Sequence, residues 1–186
     1  MSGTIWLITE DESDKVIVEA LVRKKGFDIQ VARLKLTGGS GGVDRLAHQL
    51  ERLIRDAKDM KKPNDCIVVL HDADIHMQQS NRQTYEQIRR ICKDNKVTLI
   101  LARDEIEAWL LADSGICKWL GIRPRNHDEE TKPKDKLNSL LDQKHNMKYR
   151  ERNQEKILAH LNGDGDTHSP SMQEALQHLE DAPCTK

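Results

Sequence analysis

No apolar run in this 186-residue chain approaches the ~20 residues that a membrane-spanning helix needs. The one apolar stretch near the start, Ile5 to Ile8, runs directly into acids and does not read as a secretion signal. Cysteine is scarce: Cys66, Cys92, Cys117 and Cys184 are scattered and form no C-x-x-C pair. That spacing argues against a cysteine zinc site and against a disulfide framework, and it predicts reduced thiols in a cytoplasmic protein. A charge excess is missing too. With 30 Lys and Arg against 31 Asp and Glu, the formal net charge is -1, so any contact with a polyanion must be local. The eight histidines show neither H-E-x-x-H nor H-x-H spacing, which leaves a histidine zinc site without support. Ser40 has no neighbouring His/Asp set, so a nucleophilic triad has no basis either.

What the chain does have is order. Its 37% hydrophobic and 33% charged residues are sorted into periodic segments without internal repeats, and the length suits one well-buried domain. Ile5 to Thr9 predicts a first strand, and Ser13 predicts the N-cap of a helix to about Lys25, with Val16, Ile17, Ala20 and Leu21 inward and Gly26 as its stop. Asp28 to Leu36 alternates as a second strand. From Val43 to Ala57 the apolar residues recur at helical spacing. Cys66 to Leu70 is a short buried strand, Asn81 to Lys93 a helix, and Val97 to Ala102 a fourth strand. Strands alternating with helices predict an α/β fold: about four strands, mainly parallel, flanked by helices. Arg103 to Asp113 reads as helical, and Gly121 to Lys134 as a polar linker. Further helices follow over Lys134 to Lys144, Arg152 to Leu161, and from Ser169 as N-cap to Glu180. The expected division is an α/β core over 1–114 and a helical extension over 115–186 packed on it.

Ligands of open α/β sheets bind at the C-terminal ends of the strands, and the acids collect there. Strand three ends in Asp72-Ala73-Asp74, and strand one in Glu10-Asp11-Glu12-Ser13-Asp14. Hard divalent cations take such carboxylate oxygens together with water. Asp104, Glu105 and Glu107 follow strand four and offer a third contribution, whereas Trp109 and Leu110 are expected in the core. The loop containing Gly39, Ser40 and Gly41 precedes a helix and could offer its amides to a phosphate, although it is neither a Walker A loop nor G-x-G-x-x-G. His71 and His76 flank the Asp pair. Between Gly115 and His160 eleven Lys/Arg face seven Asp/Glu, which suits a solvated helical surface as well as a phosphate track.

Taken in order, Glu10-x-x-Ser13-Asp14, the Gly-rich turn after strand two, and Asp72-x-Asp74 after strand three resemble the TOPRIM fold of topoisomerases, primases and OLD-type nucleases. Arg103 to Asp113 and Ser169-Pro170-Ser171-Met172 resemble small stand-alone TOPRIM-like proteins that are often encoded beside an SMC-like or ABC-type ATPase. The resemblance implies that Glu10, Asp72 and Asp74 hold Mg²⁺ or Mn²⁺, with Asp14 and Glu105 or Glu107 completing a second site. It also implies a lysine near the metals, for which Lys134 and Lys136 are the candidates and Lys136 the one assigned. In one departure from the pattern, Asp11 stands where a glycine usually follows the first Glu.

The function so implied is a metal-dependent nuclease acting on DNA, working with the ATPase in defence against phages or foreign DNA, with a homo-oligomer left open as a further association. A covalent topoisomerase is disfavoured, because that chemistry requires a tyrosine from another domain and this chain has only Tyr85 and Tyr149, neither in a recognisable setting. Two other classes compete: a receiver-like phospho-acceptor domain, and a catalytically silent TOPRIM-like interaction module.

Overall fold

The computed structural model describes residues 3–37, 42–73, 82–182 and 184. Four strands, β1 (Thr4–Ile8), β2 (Gln30–Leu34), β3 (Cys66–Asp72) and β4 (Thr98–Ala102), form one parallel sheet in the order β2-β1-β3-β4. The connections are α1 (Glu12–Lys24), α2 (Gly42–Met60) and α3 (Arg82–Asn95), as parallel pairing demands. The sheet then gives way to α4 (Glu107–Ala112), α5 (Ser114–Leu120), α6 (Pro133–His145), α7 (Glu151–Leu158) and α8 (Pro170–Glu180). The α/β architecture expected from the sequence is therefore present. No helix among the described residues is long and apolar enough to cross a membrane.

Strand parity divides the core in two. Leu7, Val68 and Leu70 face one side with Ile17, Leu21, Trp109 and Leu110, where α1 and the helices α4 to α8 lie. Ile8, Ile67 and Val69 face the other, against Leu46, Leu50 and Ile54 of α2 and Ile88 of α3. Continuing the alternation, Asp72 belongs with the first face and His71 with the second. Because β1 and β3 are neighbours, the residues following them emerge side by side at one sheet edge.

Four expectations are corrected. Helix α1 starts at Glu12 with Asp11 as its N-cap, not Ser13, because Asp14 turns back to accept the Asp11 amide at 3.2 Å. Its inner face consequently centres on Ile17, Val18, Leu21 and Val22, leaving Val16 and Ala20 partly buried. The polar stretch from Gly121 contains a buried anchor: Asp128 accepts from Ser169 Oγ at 2.7 Å and from the Ser171 amide at 2.8 Å, and Ser171 Oγ accepts from Trp109 Nε1 at 2.8 Å. These bonds clamp the linker to the N-terminus of α8, where Ser169 is the N-cap as expected.

The fourth correction concerns the thiols. Cys66 and Cys184 form a disulfide with Cα atoms 5.3 Å apart, while Cys92 and Cys117 are free and buried. A separation of 118 residues hid the pair from a reading based on local spacing. The bridge ties the chain end to the start of β3, and closing so long a loop is worth up to about 4–5 kcal/mol against the unfolded chain. Peptide mapping without reductant should recover a Cys66–Cys184 linked pair, with Cys92 and Cys117 alkylated only after denaturation. Recovery of four alkylatable thiols from protein denatured without reductant would refute the bridge.

Candidate metal centre

The C-terminal edge of the sheet collects acids from four elements. Glu10 follows β1, Asp14 lies in the first turn of α1, Asp72 ends β3, and Glu107 opens α4. Asp14 and Glu107 are buried, and Glu10 and Asp72 are partly buried. Each is held by specific contacts. Thr9 Oγ1 donates to Asp14 Oδ2 at 2.5 Å, and the Ile106 amide donates to Asp72 Oδ1 at 3.0 Å. Arg33, at the end of β2, fixes the β1–α1 turn by donating to the carbonyls of Glu10 at 2.7 Å and Thr9 at 3.3 Å while pairing with Glu12 at 3.0 Å. Arg45 of α2 supplies a positive charge to Glu10.

The electrostatics show that these groups share one space. Burial raises the Glu10 carboxyl from 4.5 to about 7, and the charges of Asp14 and Asp11 add to the rise. Glu107 likewise rises to about 7 through burial, with Lys134 opposing and Glu105 and Asp14 contributing. Asp72 is pushed well above the ordinary carboxylate range by burial and then by Asp14, Glu107 and Glu10. Burial also raises Asp14, against the hydrogen bonds from Thr9 and the Asp11 amide. Like charges in a desolvated pocket disfavour simultaneous ionisation.

One lysine answers them. Lys134 Nζ lies 3.3 Å from Glu107 Oε1, and although burial lowers its pKa, the pairing with Glu107 raises it overall. Its placement follows from local geometry: Lys132 adopts a left-handed conformation with φ 62°, Pro133 opens α6, and the Lys134 amide donates to Glu105 Oε2 at 2.7 Å. Glu105 is thus a backbone anchor beside the acids, itself raised by burial. Lys134 also lies 6.0 Å from the centroid of the Tyr149 ring.

Of the residues expected at the site, Glu10, Asp14, Asp72 and Glu107 are brought within electrostatic reach of one another. Lys136 is not among them. It pairs with Glu130, beside the buried His127, on the far side of the linker turn. A two-residue step along α6 turns a side chain by about 200°, to nearly the opposite face of the helix, which is why Lys134 and not Lys136 reaches the acids. Asp74, Gly39, Ser40, Gly41 and His76 lie outside the described residues. Beside that loop, a Cβ added at Gly42 would stand 3.5 Å from Glu10 Oε2, so the start of α2 adjoins the carboxylates. Among the described residues no three His, Cys, Asp or Glu side chains are gathered as ligands of a single ion.

Sequence reasoning missed Arg33, Arg45, Thr9 and Tyr149. None carries a local motif, and only the pairing of β1 with β2 brings Arg33 to the β1–α1 turn.

No family model matches the chain, and neither a curated protein nor a solved structure matches it.

Proposed function

We propose that the chain is a TOPRIM-like, metal-dependent phosphodiesterase that hydrolyses nucleic acid, with DNA as the expected substrate. The observation that supports this reading is the meeting of Glu10, Asp14, Asp72 and Glu107, where Asp14 raises the proton affinity of the other three and Glu10 and Glu107 raise that of Asp72, with Lys134 to oppose them. Their donor chemistry fits a hard cation: desolvated carboxylate oxygens whose mutual repulsion a divalent charge relieves. Side-chain rotation is needed to bring these oxygens to ligating distance. A bound Mg²⁺ or Mn²⁺ supplies water activation and neutralisation of charge on the phosphate. In this reading Glu10, Asp72, Asp14 and Glu107 hold the cation, with Asp74 and Glu105 as further candidates. Arg33 keeps the Glu10 turn in place, and Lys134, once Glu107 turns to the cation, orients the phosphate. The loop of Gly39, Ser40 and Gly41 would approach the same phosphate.

An SMC- or ABC-like ATPase would supply the strand capture that a chain of net charge -1 lacks, in defence against foreign DNA. A receiver-like phospho-acceptor domain is disfavoured, since no fifth strand is present among the described residues to carry its lysine. The test is cleavage of single- and double-stranded DNA with Mg²⁺ or Mn²⁺, with and without the ATPase. Glu10→Gln and Asp72→Asn should each lower the rate by about 10²–10³-fold, the scale of losing one charge-stabilising group. Lys134→Ala should be impaired and Lys136→Ala should not. Undiminished cutting by both carboxylate variants would remove this assignment.

A further inference from the structure

The outer face of α7 carries a line of basic residues. Arg152, Lys156 and His160 recur every four residues along the helix and the turn that ends it, about 6 Å apart along its axis. Gln154, Ile157 and Leu161 fill the buried face instead, and Glu155 borders the groove against α1. Arg152 and Lys156 are exposed, and their side chains make no hydrogen bond or ion pair among the described residues. The line runs into a cavity of about 540 Å³, where His160 meets Lys24 at the end of α1 and Lys118 of α5. Both lysines are exposed and equally uncommitted, and no acid among the described residues lines the cavity. Two glycines admit the convergence: a Cβ on Gly163 would stand 2.8 Å from Lys24 Cβ, and one on Gly115 would stand 2.1 Å from the His160 carbonyl oxygen.

The opposite end of α7 adjoins the carboxylates. Tyr149 precedes the helix, its Oη accepts from Gln154 Nε2 at 3.2 Å, and its ring lies 6.0 Å from Lys134 Nζ, the partner of Glu107. From there the basic line leads away from the acids for about 15 Å, alongside α1.

We infer that Arg152, Lys156, His160, Lys118 and Lys24 form a track for the phosphate backbone of a nucleic-acid strand. A strand carries one charge per ~3.4 Å of helix axis, so a line of about 15 Å spans about four phosphates. Cations without partners of their own can turn to those phosphates with no ion pair to break. Trp119 is already stacked with both His145 and His160, at centroid distances of 3.9 and 4.4 Å, so the contact is with the backbone and not with the bases. The track orients a strand at the site and leaves long-range capture to a partner. That the strand continues into the carboxylates rests on the nuclease reading, whereas the backbone contact does not.

The test is binding of short fluorescent oligonucleotides, single- and double-stranded, followed by anisotropy across a salt series in EDTA. Lys118→Ala and Lys156→Ala should each weaken binding about tenfold near 0.1 M salt and reduce the slope of log K against log salt by about 1, whatever the base sequence. Arg90→Ala and Lys93→Ala, at exposed positions of α3 across the sheet, should bind as wild type. With those losses in place, the oligonucleotide bound more tightly shows which strand form the track takes. Absence of binding, an affinity and slope unchanged in both Lys118→Ala and Lys156→Ala, or equal losses in the α3 variants overturns the inference. Binding through the track without cleavage in Mg²⁺ or Mn²⁺ refutes only the nuclease, and cleavage by a protein whose binding ignores Lys118 and Lys156 refutes only the track.

Discussion

Replacing Asp113 by Ala should lower the stability of the protein by about 3–5 kcal/mol, the range for uncovering several buried polar groups at once. Asp113 is fully buried and joins two segments far apart in sequence. Its Oδ1 accepts the amides of Gly115 and Ile116, each at 3.0 Å, which caps α5. Its Oδ2 accepts the amides of Gly163 at 2.7 Å and Asp164 at 3.3 Å, and the Asn162 amide reaches both oxygens. Alanine would leave five backbone donors without an acceptor, those of Ile116 and Gly163 in buried positions. The approach is tight as well: a Cβ on Gly115 would stand 2.1 Å from the His160 carbonyl, so these chains have no room to rearrange. In a chain of this size the loss corresponds to about 10 °C or more in Tm. Asp113→Asn should recover only part of it, because its amide group presents donors to donors. Asp142→Ala, removing an exposed pair with Lys148, should change stability by less than about 0.5 kcal/mol. Urea denaturation of the four proteins decides the matter, and a cost for Asp113→Ala no greater than for Asp142→Ala would show the hub to be dispensable.

Much of the sheet was legible because its signals are local. Ile5 to Ile8 and Cys66 to Leu70 are apolar runs bounded by polar residues, and the helical repeat from Val43 to Ala57 matches the buried face of α2 residue for residue except for the partly buried Val43. Glu10 and Asp72 could be paired in advance because they end strands that a parallel α/β fold makes adjacent. What resisted reading depends on distant pairing. Asp113 looked like the end of one helix, yet its partners lie some fifty residues away. Cys66 and Cys184 meet only because Cys184, beyond α8, lies against the start of β3. The choice between Lys134 and Lys136 turned on where α6 begins, and that is set by the left-handed Lys132 and by Pro133, one residue before the predicted start. Asp128 lay within a polar stretch that reads as linker, because its two serine partners are about forty residues downstream.

Raising the pH from about 4.5 to neutrality should destabilise the metal-free protein, and a divalent cation should restore what is lost. Glu10 and Glu107 each hold a proton up to about pH 7 in the folded chain, against an ordinary value of 4.5. A raised carboxyl binds its proton more tightly when folded than when unfolded, so its contribution is complete below the unfolded value and vanishes as pH climbs through the folded one. Between about pH 4.5 and pH 7, each such group taken alone would withdraw about 3 kcal/mol. The sum for the cluster is smaller, because deprotonating one member raises the proton affinity of the others, and Glu10 is partly solvated. Glu10→Gln removes one member, so it should be more stable than wild type by about 2 kcal/mol near pH 8 and nearly equal to it near pH 4. Mg²⁺ at a hundredfold excess over its dissociation constant should add about 2.7 kcal/mol to wild type near pH 8. It should add little near pH 4, where protons occupy the same oxygens, and little to Glu10→Gln or Asp72→Asn at either pH. Melting curves across this range, in EDTA and in Mg²⁺, separate the two claims. A metal-free stability that is flat in pH would mean the acids do not repel one another in the folded chain. A pH-dependent stability on which neither Mg²⁺ nor Mn²⁺ acts would keep the repulsion and discard the metal.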